Sequence, residues 1–523
     1  MRRPSGEAQL LAALIAVHLI PIWTLSYFPS QDGPAHLAIA NTLREYGGPD
    51  GQVLRDYFVR EPGSVTNWFV YFLLAYGLGF LPVALAEKVF LSAYVILLPL
   101  SVRYAVGAVE PRNTFLALLA VPFTFNYLLG MGFYNFCFSL VAFFFALGYW
   151  LRYGLKHRER FGWLQGTVFA LLALWVYVCH IVSAGMLVAA VVTLSAWEAR
   201  AGGRSVLLRR LGPLLPTLAL MLSFASREAS RTTSAPVGTK LLQLLTLESL
   251  ASFDSRTRFF GWAIAILFCA LAAWALPRRS PRGDRWLAVV AVFFALALAV
   301  PSNVGVGGFI HQRLSLFPFL ALILWLATFD LPAPLRRGIP ILAVGLALGL
   351  LGLLWTRWRE IDVYLAEYLS AEERIPRGST LLHLSYAHCG RAPDGAPLAF
   401  RVQPFLHAGS RVATEKSVAD LRLYAANYEG YFPLHYRPER NPYDHVSLGS
   451  WHDRVPPWVD LLSHPVDYVL LWQVSWNRRH PAVRSVRSQL ETRYERIYVS
   501  PRGRAELWRR ERTSGTRAVP TTR

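Results

Sequence analysis

The chain has 523 residues, 54% of them hydrophobic and 16% charged, with mean hydropathy +0.32 and a formal net charge of +20. Soluble domains carry about 25% charged residues, so this balance excludes an ordinary soluble enzyme. Apolar runs near the length of a bilayer crossing recur from residue 10 to residue 355, as in a polytopic protein embedded in a lipid bilayer. The basic residues punctuate these runs and do not gather on one module, so they read as topology signals, with no nucleic-acid partner.

In chain order, apolar length places candidate spans at 10–28, 68–86, 89–108, 113–129, 133–151, 163–178, 181–197, 213–225, 259–276, 286–301, 314–330 and 339–356. Met1-Arg2-Arg3 ahead of the first run imitates a signal peptide, but no small-residue cleavage site follows, so it is expected to stay as an uncleaved first helix. Basic segments at Arg2-Arg3, 152–160, 200–210, 278–285 and 336–337 are assigned to the cytoplasm by the positive-inside rule. Parity then requires an odd number of crossings between the first helix and Arg152, excluding one break within 68–132 and favouring about 11 transmembrane helices.

This topology turns the loop 29–67, Tyr134-Asn135, the turn at His180, the 226–258 loop, His311-Gln312-Arg313 and everything after 356 to the outer face. The 226–258 loop carries Arg227, Arg231, Lys240, Arg256 and Arg258 and still has to face outward, which long loops tolerate. The expected fold is thus a polytopic α-helical membrane domain, 1–356, followed by a small C-terminal extracytoplasmic α/β domain, 357–508, and a disordered tail, 509–523. Within the second domain 380–386, 466–472, 496–499 and 505–508 read as strands and 482–493 as a helix. Of the four cysteines, Cys137, Cys179 and Cys269 lie in apolar segments and only Cys389 in a polar one, giving neither a disulfide framework nor metal-ligand spacing.

The most informative polar stretch is 28–37, Phe-Pro-Ser-Gln-Asp-Gly-Pro-Ala-His-Leu, directly after the first helix. Asp32 precedes the turn-forming Gly33-Pro34, and His36 follows four positions on. A helix starting at Pro34 would make Asp32 its N-cap, and that reading alone explains much of the pattern. The other reading is a general base at a membrane surface, suited to glycosyl transfer from a lipid phosphate. There a carboxylate takes the acceptor proton, and the leaving phosphate needs a cation in place of a general acid. His180 between two apolar runs, His311 and Arg313 opening the helix at 314, Lys240, and Asn135 in a Phe-rich stretch are the further candidates to line a site or hold a phosphate. Each also has a plain structural reading: helix end, interface anchor or solvated loop. Tyr424, Tyr428, Tyr431, Phe432, His435 and Tyr436 form an aromatic cluster suited either to stacking on sugars or to a core.

An uncleaved first helix, an acidic motif early in the first outer loop, many further helices and an outer C-terminal domain resemble the GT-C superfamily of polytopic glycosyltransferases. The stretches 130–136, Gly-Met-Gly-Phe-Tyr-Asn-Phe, 177–180, Tyr-Val-Cys-His, and 301–313 fit the same pattern. The resemblance implies a polyprenyl-phosphate-sugar donor, a glycan or lipid acceptor in the cell envelope, and Asp32 in the position of the catalytic acid. Members with two adjacent acids in this loop differ from this chain, whose neighbour of Asp32 is Gln31; Asp50, Asp56 and Glu61 are alternative second carboxylates, and a divalent metal is neither required nor excluded. A transporter or flippase of lipid-linked glycans and a non-catalytic membrane assembly protein are the rival readings, the first disfavoured by uncharged spans such as 286–300 and 339–355.

Overall fold

The structure is a computed structural model and describes residues 6–61, 65–156, 161–202, 210–228, 232–447, 449 and 455–511. Among them, six helices are long and apolar enough to cross a membrane: Gly6–Thr24, Val83–Val109, Tyr134–Leu155, Ile181–Ala199, Thr257–Arg278 and Ala333–Arg374. Trp163–Cys179 and Ile310–Leu326 are shorter apolar helices. Arg2, Arg3, Arg231, 157–160, 203–209 and the tail from 512 lie outside the described residues.

The expected span 68–86 does not form. Phe69–Phe72 is a single helical turn followed by a wide turn at Leu73–Gly77, and the next helix starts only at Val83. The segment stays on the side of the first outer loop, where Asn135 and Val178 hold its backbone. The run 113–129 is also unusual: Pro111–Phe123 is a 13-residue 3-10 helix with a kink at Asn113, whose rise of about 2.0 Å per residue makes it about 26 Å long.

At one end of the bundle Arg285 pairs with Glu198 at 2.9 Å, and Arg336 donates to the Arg112 carbonyl at 2.9 Å. The first outer loop, the 232–258 segment, 301–313 and the C-terminal portion meet at the other. Phe58–Arg60 pairs with Leu434–Tyr436, Phe253 and Phe400 exchange backbone hydrogen bonds, and Ser249 donates to the Gln312 carbonyl at 3.0 Å. The polar segments assigned to one face by topology are therefore in contact.

The last long helix, Ala333–Leu369, runs without a break through residue 356, where the sequence reading divides the domains. Its 37 residues span about 56 Å, well beyond a hydrocarbon core of about 30 Å, so its C-terminal part belongs to the C-terminal domain. There Tyr368 stacks on Trp472, ring centroids 4.8 Å apart. The sheet of the C-terminal domain has the order Tyr494–Val499, Ala505–Arg510, Tyr468–Trp472, Thr380–Ser385, Ala419–Asp420. Its first two pairings are antiparallel and its last two parallel, with the Pro481–Arg493 helix alongside. Thr380–Ser385 and Tyr468–Trp472 are buried throughout, as central strands covered on both faces are. The final strand extends to Arg510, so Arg509 and Arg510, expected in a disordered tail, belong to the sheet.

Candidate active site around Asp32

Pro34 opens the Gly33–Glu45 helix, its ring presetting the helical φ where no N–H is needed, and Asp32 stands at the N-cap. The Asp32 side chain makes no capping bond. Its Oδ1 accepts from Gln31 Nε2 at 3.0 Å and its Oδ2 from the Tyr424 hydroxyl at 3.1 Å, while His407 Nε2 stands 3.9 Å from Oδ1. Only 6% of Asp32 is exposed, and burial pushes its carboxyl up to about 6 against the opposing pull of Gln31, Tyr424 and the Arg313 charge.

The 130–136 stretch builds the floor. The carbonyls of Gly130 and Met131 accept from the backbone N–H of Gln31 at 2.9 Å and of Asp32 at 3.1 Å. Gly132 sits at φ +82°, and a Cβ there would collide with the backbone of Asp32 and Gly33, so this position requires glycine twice over. Beneath the loop, Ser30 bonds the Tyr134 hydroxyl at 2.8 Å, and Tyr134 donates to Glu87 at 2.7 Å. Glu87 is paired with Arg411 at 2.9 Å, and Arg411 also donates to the Phe28 carbonyl at 3.0 Å. Asp362 accepts from the N–H groups of Ser26 and Tyr27, both at 2.8 Å.

Gln31 is tied outward as well, its Oε1 accepting from the Gln403 N–H at 3.1 Å. Asp50, Asp56 and Glu61 are directed elsewhere: Asp50 to Arg377 at 3.5 Å, Asp56 to Gln52 at 2.7 Å and Glu61 to His435 at 2.9 Å. For a divalent cation the site thus offers one carboxylate, Asp32. Among the described residues no group of three or more His, Cys, Asp or Glu side chains is arranged to hold a metal.

The other sequence candidates divide. Arg313 is buried, stacks over Phe133 with its guanidinium carbon 4.5 Å from the ring centroid, and donates to the Gly308 carbonyl. Its Nε has no hydrogen-bond partner. It lines an apolar cavity of about 420 Å³ together with His180, Met221, Phe224, Leu296 and Tyr431. His180 breaks the chain between two helices, accepts from the Val182 N–H at 3.2 Å and meets Phe136 edge-on. His36 bonds the Tyr71 hydroxyl at 2.8 Å, and burial pushes it down to about 3, so it is a neutral imidazole one turn behind Asp32.

Three candidates are occupied by structural contacts. Lys240 donates to the carbonyls of Leu298 at 3.1 Å and Val300 at 2.7 Å, and His311 bonds the Ala297 carbonyl at 2.9 Å. Together they satisfy the carbonyls that end the Pro281–Ala299 helix, the usual place for cations at a helix C-terminus. Asn135 gives its side-chain oxygen to the Val70 N–H at 2.8 Å. In the aromatic cluster Tyr424, Tyr428 and Tyr431 pack around Phe432, while Tyr424 also reaches Asp32, Tyr431 lines the cavity, and the Tyr436 hydroxyl bonds the Asp420 carbonyl at 2.8 Å. His407, Glu87 and Arg411 went unread in the sequence; each lies tens to hundreds of residues from Asp32 with no local motif around it.

No protein family and no curated protein matches the sequence. Solved structures do match. The crystal structure of ArnT from Cupriavidus metallidurans bound to undecaprenyl phosphate aligns over 97% of this chain and 98% of its own, with TM-score 0.50 and 11% identity. At that identity the likeness is one of fold, shared along nearly the whole length of both chains.

Proposed function

We propose that the protein is a membrane glycosyltransferase that moves a sugar from a polyprenyl-phosphate-linked donor to a hydroxyl of a lipid or cell-envelope glycan. The observation that carries this reading is a buried, uncapped carboxylate pushed up to about 6, within electrostatic reach of a buried guanidinium that lines an apolar cavity. In this reading the prenyl chain lies in the cavity and its phosphate meets Arg313. Asp32 accepts the proton of the acceptor hydroxyl as its oxygen bonds the anomeric carbon, and the bond from that carbon to the phosphate oxygen breaks. The electron pair leaves with the phosphate, whose charge Arg313 stabilises. A structure of the same fold with undecaprenyl phosphate bound supports this reading.

We assign eleven crossings, with the site and the outer domain extracytoplasmic and the N-terminus in the cytoplasm. His180 lines the donor cavity and His36 supports Asp32 from behind; Lys240, His311 and Asn135 hold the framework.

The test is mass spectrometry of glycolipids and surface glycans from cells lacking the protein, complemented with wild type or Asp32→Ala at matched expression. A glycoform restored by wild type and not by the variant is the expected result, and its mass names the sugar. Equal restoration by both removes Asp32 from the mechanism and the transferase reading with it.

A further inference from the structure

His407 stands against Asp32 without bonding to it. Its Nε2 is 3.9 Å from Oδ1, beyond hydrogen-bond range, and its Nδ1 is buried with no hydrogen-bond partner. The ring is held in place by Tyr424, 4.7 Å between centroids, the same tyrosine that donates to Oδ2 of Asp32. Burial first, then the charges of Arg422, His383, His388 and His36, push the imidazole well down, so it is neutral and offers one N–H. An oxygen atom placed about 2.8 Å from both Nε2 and Oδ1 closes the triangle that the two side chains leave open.

Direction supports a particular oxygen. Arg313 is carried by the helical bundle, whereas His407 and Tyr424 are carried by the C-terminal domain, whose Tyr431 also lines the cavity. An in-line displacement needs the nucleophile on the side opposite the leaving phosphate.

We propose that His407 seats the acceptor: its Nε2–H donates to the oxygen of the incoming hydroxyl while that hydroxyl donates its own hydrogen to Oδ1 of Asp32. The acceptor oxygen then bonds the anomeric carbon, its proton passes to Asp32, and the phosphate departs with the electron pair of the broken bond. His407 keeps its proton throughout, and the anomeric configuration is inverted. The inference rests on the transferase reading above and adds the acceptor subsite to it.

The experiment compares wild type, Asp32→Ala, His407→Ala, His407→Asn and His407→Gln in cells lacking the protein, by rate of appearance of the restored glycoform. Each purified protein is also checked for its thermal shift on adding undecaprenyl phosphate. His407→Ala is expected to slow the product about 100-fold, the cost of a misplaced reactant, with the lipid-induced shift unchanged. Glutamine, whose amide reaches the Nε2 position, should recover at least about tenfold of that loss, while asparagine, which reaches only the Nδ1 position, should behave like alanine.

The proposal is overturned by His407→Ala turning over within twofold of wild type, by glutamine and asparagine failing alike, or by loss of the lipid-induced shift, which marks His407 as packing. Wild type that restores no glycoform overturns the transferase reading itself, a result distinct from wild-type turnover that the His407 variants leave intact.

Discussion

Burial of Asp32 has opposite effects on chemistry and on stability. Its carboxyl ordinarily titrates near 3.8 and is pushed up to about 6 by burial, so it ionises late enough to hold a proton during transfer. kcat/KM should therefore rise through about pH 6 with a single ionisation, and Asp32→Asn should abolish that limb with a loss of about 100-fold or more. Stability runs the other way. A raised acid favours folding at pH below its unfolded value and loses that contribution as pH rises through about 6, here on the order of 3 kcal/mol. Asp32→Asn should consequently melt higher than wild type at pH 8 and show little difference at pH 4; equal melting at both values contradicts the burial argument. Gly132 offers a second check. Gly132→Ala meets both a left-handed φ and the Asp32 backbone, so it should cost about 1–3 kcal/mol and lower turnover with it.

Between neighbouring segments, the cations separate into Lys240, which is bound to two carbonyls that end a helix, and Arg313, whose Nε is left without a hydrogen-bond partner. Lys240 closes the end of the Pro281–Ala299 helix, so Lys240→Met should lower the melting temperature while leaving the donor KM within about twofold. Arg313→Lys should do the reverse, raising the donor KM about tenfold or more with little change in melting, because a point charge replaces a planar fork at the phosphate. The Glu87–Arg411 pair couples a helix of the bundle to the outer domain at 3–4% side-chain exposure. Glu87→Ala leaves a buried guanidinium alone and should destabilise by about 3–5 kcal/mol, read by denaturation in detergent.

These roles mark where sequence reading stops. The Asp-Gly-Pro turn announced Asp32 because cap chemistry is local, and the C-terminal strands read at 380, 466, 496 and 505 announced themselves by β-branched and aromatic runs. Ala419–Asp420, two residues long, has no pattern to show. Whether Lys240 faces a ligand or a carbonyl is set by a helix end about 60 residues away. No spacing rule brings His407 to Asp32, since that contact depends on how the outer domain sits on the bundle.

Taken as a whole, the molecule places the Arg285 and Arg336 contacts at one end and its site at the other. Thiol labelling by an impermeant reagent, in a background without Cys269 and Cys389, should modify Glu429→Cys and spare Arg279→Cys in intact cells. Labelling of Arg279→Cys alone reverses the orientation.

Asp32 sits in the first outer loop, whereas Asp362, Gln403, His407, Arg411 and Tyr424 arrive more than 300 residues later. During synthesis the first helix is inserted and its loop displayed long before those partners leave the ribosome. The carboxylate spends that interval solvated, acidic and incompetent, and the centre is completed only when the Ala333–Leu369 helix has been threaded and the outer domain closes down. A chain halted at residue 356 is an inserted bundle with an exposed, ordinary aspartate. On the transferase reading proposed above, biosynthesis supplies its own safety catch: no partly made copy carries a completed centre.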